Sequence, residues 1–125
     1  MPDDMKTKLE ELLGELASSA GDIEASAIVR RDGLMIASNL PSKIDSHTIA
    51  AMSAAIVGTA ETCSSELKRG AFMQVIVESE SGKIVSTGAG KLAILVCLVK
   101  PTANLGLVLL SMNRTAEKIA GIVGK

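Results

Sequence analysis

From Ile49 to Ala60 the chain carries twelve residues in a row without a charge, inside a segment (45–69) that otherwise reads as one long helix. A surface helix of a small domain normally shows one apolar stripe and one charged side, so a helix that is apolar or small all round must be covered on both sides. Ile49, Met52, Ile56, Thr59, Cys63 and Leu67 make one mostly apolar stripe, which is expected to lie on a sheet. Ala50, Ala51, Ser53, Ala54, Ala55, Val57, Gly58 and Ala60 make the other side. Such small residues allow close approach, and a partner is the favoured cover. Asp45 or Ser46 can cap the helix start, since each brings an acceptor to the free N–H groups there. Gly70 closes it. About 24 residues at about 1.5 Å each span roughly 36 Å.

The rest of the chain must supply the sheet. Met5, Leu9, Leu12, Leu13, Leu16 and Ala20 recur at three- and four-residue steps, which predicts a first helix over about 4–19, ended by Gly21. EASAIVR (24–30) and LMIAS (34–38) flank Arg31-Asp32-Gly33, and Asp-Gly between apolar runs signals a hairpin. Residues 39–44 form a loop. After the long helix, 71–79 reads as a strand, Ser81-Gly82 as a turn and 83–88 as its partner. The run LAILVCLV (92–99) has eight apolar residues together, the mark of a strand buried on both faces. Leu105, Val108, Leu109, Met112, Ala116, Ile119, Ala120 and Val123 keep helical spacing, which predicts a last helix over about 102–123.

The order is α-β-β-α-β-β-β-α in a single domain over 1–125, an α+β chain. Hairpin-length connections make the sheet mostly antiparallel. The middle helix and the pair of terminal helices can cover opposite faces. The strand 71–79 is apolar on both faces. At a sheet edge its free N–H and C=O groups would invite aggregation, and pairing with a second copy would satisfy them.

Chemistry is hard to find. The formal charge is −1, from 13 Lys and Arg against 14 Asp and Glu, and there is one Phe with no Tyr or Trp. That leaves neither a basic field for phosphate backbones nor stacking platforms for bases, so no nucleic-acid partner is expected. The pairs Arg30–Arg31 and Lys68–Arg69 read as solvated element ends. Cys63 and Cys97 lie 34 residues apart within apolar patterns and are expected to be buried free thiols, which suits a cytoplasmic protein. MPDDMKTKLEELL is acidic and amphipathic, unlike a secretory signal. Lys100 and Pro101 break the apolar region 92–112, so no membrane insertion is expected. His47, the sole histidine, has no evident nucleophile or ligand set beside it, so neither a metal nor a catalytic site is expected. Gly88-Ala89-Gly90-Lys91 departs from the phosphate loop, with Val85 where the first Gly belongs and Leu92 after the Lys. As a dinucleotide fingerprint it would have to open a helix, yet it opens a strand. It reads as a hairpin turn, and no cofactor is expected. No carboxylate pair sits in an apolar setting fit for acid–base work.

LEELLGELA, the hairpin RRDGLMIAS, the helix TIAAMSAAIVGTAE and the tail ANLGLVLLSMNRTAEKIAGIV together resemble the Roadblock/dynein light chain superfamily, which includes MglB-type regulators of Ras-like GTPases. The resemblance covers almost the whole chain and includes no catalytic signature. It implies a profilin-like or longin-like three-layer fold. In it a five-stranded antiparallel sheet has the second helix on one face and the first and third on the other. It implies a homodimer through the second helix and third strand, and a face that receives a small Ras-like GTPase or serves as an adaptor. The interface it implies falls on Ile49, Met52, Ser53, Ile56, Val57, Ala60, Met73, Val75 and Ile76. No arginine, Arg69 included, can be given a finger role. The other function weighed is a small-ligand sensor built around the turn at 88–90.

Overall fold

The computed structural model describes residues 2–124, with side chains from residue 4. The elements are α1 (Pro2–Ser19), β1 (Ile23–Arg30), β2 (Met35–Asn39), α2 (Ser46–Glu66), β3 (Gln74–Ser79), β4 (Gly82–Ala89), β5 (Ala93–Val99) and α3 (Leu105–Val123). This is the expected order. The strands form one antiparallel sheet in the order β2-β1-β5-β4-β3, with β5 central and β2 and β3 at the edges.

Strand alternation divides the molecule into two apolar layers. On one face Ile28, Ala37, Val85, Leu95 and Cys97 meet Leu9, Leu13 and Leu16 of α1 and Val108, Met112, Ala116 and Ile119 of α3. Each large aliphatic side chain fully buried here contributes about 1.5–3 kcal/mol relative to exposure. On the other face Ala27, Val29 and Val96 meet Ala50 of α2, with Met35, Leu40 and Ile84 around them. The strand β5 is therefore buried on both sides because it is the middle strand, while Leu92, the first residue of the apolar run 92–99, lies ahead of the strand and is exposed.

Three boundaries move by about three residues, each for a local reason. The middle helix ends at Glu66, not Arg69, because Lys68 takes φ 54 and its neighbours turn back on the last carbonyls: Leu67 N–H donates to Cys63 O and Arg69 N–H to Ser64 O. That turn and Gly70, at φ 89, delay β3 until Gln74. At the start of α2 it is Asp45 that caps, accepting from His47 N–H at 3.0 Å and Thr48 Oγ1 at 2.9 Å. The last helix begins at Leu105, not 102, since Asn104 accepts from Leu107 N–H and sets the first turn.

The larger correction concerns how α2 is rotated. The side chains it buries on its own sheet are Ile49, Ala50, Ser53 and Val57, largely the small-residue side. Of the stripe Ile49, Met52, Ile56, Thr59, Cys63 and Leu67, only Ile49 is buried, and Met52, Thr59, Cys63 and Leu67 are exposed. The sheet already supplies bulk through Val29, Val96 and Ile84, so the helix fits by bringing small residues against it. Its seat over the first hairpin shows the same closeness: a Cβ on Gly33 would stand 3.9 Å from Ala51 Cα and 4.0 Å from Ala54 Cβ. Gly33 itself takes φ 95, which a turn of this shape requires of glycine. Cys63 is accordingly exposed, contrary to expectation, while Cys97 is buried as expected.

Candidate protein-binding face

Because α2 turns its larger residues away from the sheet, an apolar groove opens between it and the β5–β4–β3 half of the sheet. Near the start of α2 the groove is a cleft of ≈ 250 Å³ lined by Ile44, Asp45, Thr48, Ile49, Met52, Ser53, Ile56, Ile84 and Leu98. Further along it widens to ≈ 620 Å³, lined by Ala55, Ile56, Thr59, Ala60, Cys63, Ser64, Phe72, Gln74 and Val75. Ile56 belongs to both. Met52 stands 48% exposed on the rim. The groove runs out to β3, whose outer edge has no neighbouring strand among the described residues and whose Val75, Ile76 and Val77 are only half-buried. Contiguous apolar surface and an open strand edge are both features that protein contacts use.

The residues expected at an interface divide. Ile49, Met52, Ser53, Ile56, Ala60 and Val75 come together along this groove. Val57 does not reach it, being 0% exposed against the chain's own sheet. Ile76 packs with the α1–α3 core, pairing with Val85 on that face. Met73 lies on a separate cleft of ≈ 410 Å³ with Gln74, Gly88, Gly90, Asn113, Ala116, Glu117 and Ala120, towards α3. Ile84, Leu98 and Phe72 were not singled out from the sequence. Strand alternation carries the signal for the first two, since Ile84 and Leu98 are register partners pointing to the α2 side.

One arginine shapes the end of the groove. Arg31 donates to Lys91 O at 2.7 Å, to Gly90 O at 2.9 Å and to Glu61 Oε2 of α2 at 2.6 Å. It ties both hairpin turns to the helix beyond Val57, where α2 has no further fully buried residue. The pair Arg30–Arg31 is thus not uniformly solvated. Arg30 pairs with Asp32 at the surface, while Arg31 is a three-way clamp. The same clamp explains the glycine turn: a Cβ on Gly88 would come within 3.0 Å of Arg31 Nη2.

Titration adds little chemistry. The hydrogen bond from the Thr48 side chain, with that from the His47 backbone, holds Asp45 below the usual carboxylate value. Burial pushes the Cys97 thiol up to about 12. His47 is exposed in the first turn of α2. Among the described residues no three His, Cys, Asp or Glu side chains gather as a metal cluster, and no helix is long and apolar enough to cross a membrane.

The three layers, the five-stranded antiparallel sheet and the element order define an α+β fold class, and sequence comparison assigns the family. Residues 8–99 match the Roadblock/LC7 domain, so the chain belongs to the Roadblock/LC7 family. The Methanocaldococcus jannaschii protein MJ1340 is 40% identical over 111 residues, covering 89% of this chain and 96% of that one. Among solved structures, Myxococcus xanthus MglB superposes with a TM-score of 0.86 at 21% identity, over 93% of this chain and 94% of that one. The gliding protein MglB of Thermus thermophilus gives 0.84 at 24% identity, over 94% and 90%. Schizosaccharomyces pombe profilin gives 0.67 at 16%, over 92% and 98%, in line with the profilin-like architecture.

Proposed function

We propose that this chain is a homodimeric interaction module, without an active site of its own, that regulates or scaffolds a small Ras-like GTPase in the cytoplasm. The observation that carries the dimer is the conjunction of an apolar α2 groove with an open β3 edge. Two copies related by a two-fold axis would pair β3 with β3, satisfy both rows of free backbone groups, and bury Met52 and Ile56 between the two α2 helices. The GTPase follows from the family resemblance, and would sit on the composite surface made by both α2 helices.

Sedimentation at micromolar concentration tests the first half. The natural chain is expected to run as a dimer, and Met52→Glu or Ile56→Glu as a folded monomer. A stable natural monomer would sink the reading. A pull-down with Ras-like GTPases of the same organism, in GDP and GTP-analogue states, tests the second half.

Small-ligand sensing has one observation in its favour, the Met73–Gly90–Glu117 cleft, which includes Gln74 and Asn113 as further polar lining. It opens broadly to the surface, and the turn beside it is already engaged by Arg31, so the interaction reading is preferred.

A further inference from the structure

The groove is not the only apolar surface left uncovered. Antiparallel pairing brings the β1–β2 turn, the β4–β5 turn and the α2–β3 connection to one end of the sheet, since Arg30 pairs with Ala93, Ala89 with Ala93 and Gln74 with Thr87. The Arg31–Glu61 contact fixes the end of α2 there as well. Besides Met73 of the α3-side cleft, three leucines stand out from these connections: Leu34 at 56% exposed, Leu67 at 67% and Leu92 at 46%. They line none of the clefts described above.

Cations are interleaved with them. Lys68 and Arg69 follow Leu67 directly, Lys91 precedes Leu92, and Arg30 and Arg31 precede Leu34. The carboxylates on these same connections and the adjoining helix end are Asp32, Glu61 and Glu66. Asp32 and Glu61 are held by Arg30 and Arg31. Lys68, Arg69 and Lys91 make no ion pair among the described residues. A helix C-terminus by itself accounts for Lys68 and Arg69. It does not account for leucines held out in water at three separate tips. The α3 side of this end is more mixed, with Glu117 beside the Gly88–Gly90 turn.

We propose that this end of the molecule docks on an anionic lipid surface, the leucines entering the headgroup layer and Lys68, Arg69 and Lys91 meeting lipid phosphates. The choice of a bilayer over an acidic protein rests on shape. The leucines stand exposed on three separate connections and line none of the clefts described, which suits a fluid, deformable surface rather than a partner that needs complementary relief. The contact is peripheral and no helix crosses the bilayer. It does not rest on the dimer reading, because it uses the turn tips and not the β3 edge.

Co-sedimentation of the full chain with vesicles tests it. The chain is expected to bind phosphatidylcholine–phosphatidylglycerol vesicles, to bind phosphatidylcholine alone far less, and to lose binding as salt rises. Each cation near an anionic leaflet contributes on the order of a fivefold gain in affinity, so Lys68→Gln with Arg69→Gln should weaken binding about 25-fold. Lys43→Gln with Lys100→Gln, at the opposite end of the sheet, should leave it unchanged. Leu34→Ser with Leu92→Ser should weaken it at constant charge. Should that pair fail to fold, as judged by circular dichroism, the two charge variants still decide. No binding to anionic vesicles, equal loss in both charge variants, or capture of poly-glutamate without capture of vesicles would overturn the proposal. Sedimentation of the same samples without lipid reports the oligomeric state separately.

Discussion

Replacing Gly88 with alanine should destabilise the chain, and should stabilise it once Arg31 is gone. The added methyl would sit 3.0 Å from Arg31 Nη2. An exposed arginine would swing aside at little cost. This one is held by two carbonyls, at 2.9 and 2.7 Å, and by Glu61. Moving it by a few tenths of an ångström weakens hydrogen bonds from a charged donor, each worth about 1.5–3 kcal/mol when intact. The Glu61 pair is partly exposed, and its own share is a few tenths of a kcal/mol. Against this, alanine in a strand gains about 0.5–1 kcal/mol over glycine. The balance is a loss of about 1 kcal/mol for Gly88→Ala in the natural background. In an Arg31→Ala background it is a gain of about 0.5 kcal/mol or more. The coupling is therefore on the order of 1.5–2 kcal/mol. Urea unfolding followed by circular dichroism gives all four corners of the cycle, with protein concentration fixed because an oligomer's apparent stability depends on it. Equal effects of Gly88→Ala in both backgrounds would refute the account of this glycine as space for Arg31.

Other outcomes follow from burial. Val57→Glu should unfold the chain, costing about 4 kcal/mol or more, because it places an unpaired carboxylate at a position fully closed by the chain's own sheet; a folded Val57→Glu protein by circular dichroism would contradict the placement of α2. Ellman's reagent at pH 8 should titrate Cys63 alone, and a second thiol only after denaturation. The Cys97 thiol, raised to about 12 by burial, favours the folded state while protonated. That advantage is complete below its ordinary value of 9.0 and fades as the pH climbs through 12, which alkaline unfolding curves compared with Cys97→Ala would show. Asp45 works in the opposite sense. Its lowered value means its cap is intact above 3.8 and is lost as the pH falls through the folded value, so Asp45→Ala should mimic acid by speeding amide exchange at His47 and Thr48.

Much of the fold was legible because most elements announce themselves by period. The α1 leucines, the apolar run at β5 and the helical spacing through α3 each fit one geometry. Asp32-Gly33 marks the first hairpin by turn chemistry, and Ser81-Gly82 marks the second to within a residue, since the turn itself is Glu80-Ser81 and Gly82 already pairs with Ser79. The rotation of α2 was not legible, because a helix without charges has no polar side to orient it. Ranking its faces by side-chain size selected the wrong one. Its sheet needs a close neighbour, not a bulky one, and that requirement resides in Val29, Val96 and Ile84 rather than in α2. The interface residues share this limit: Ile49, Met52 and Ile56 came together, while Val57 and Ile76 turned to cores on opposite sides of the sheet. Arg31 was hidden for another reason. Arg30 and Arg31 are neighbours at a strand end, where adjacent side chains point to opposite sides, so one reached solvent and the other reached α2.

The inward face of α2, built on Ala50, Ser53 and Val57, also separates two kinds of change. A helix that seats itself by small residues leaves its large ones without structural duty. Met52, Ile56, Thr59 and Cys63 can be exchanged for other shapes while Ala50, Ser53 and Val57 hold the helix down. A lineage could thus drift from one companion to another by altering one side of a single helix, and the stability of the fold would record none of it.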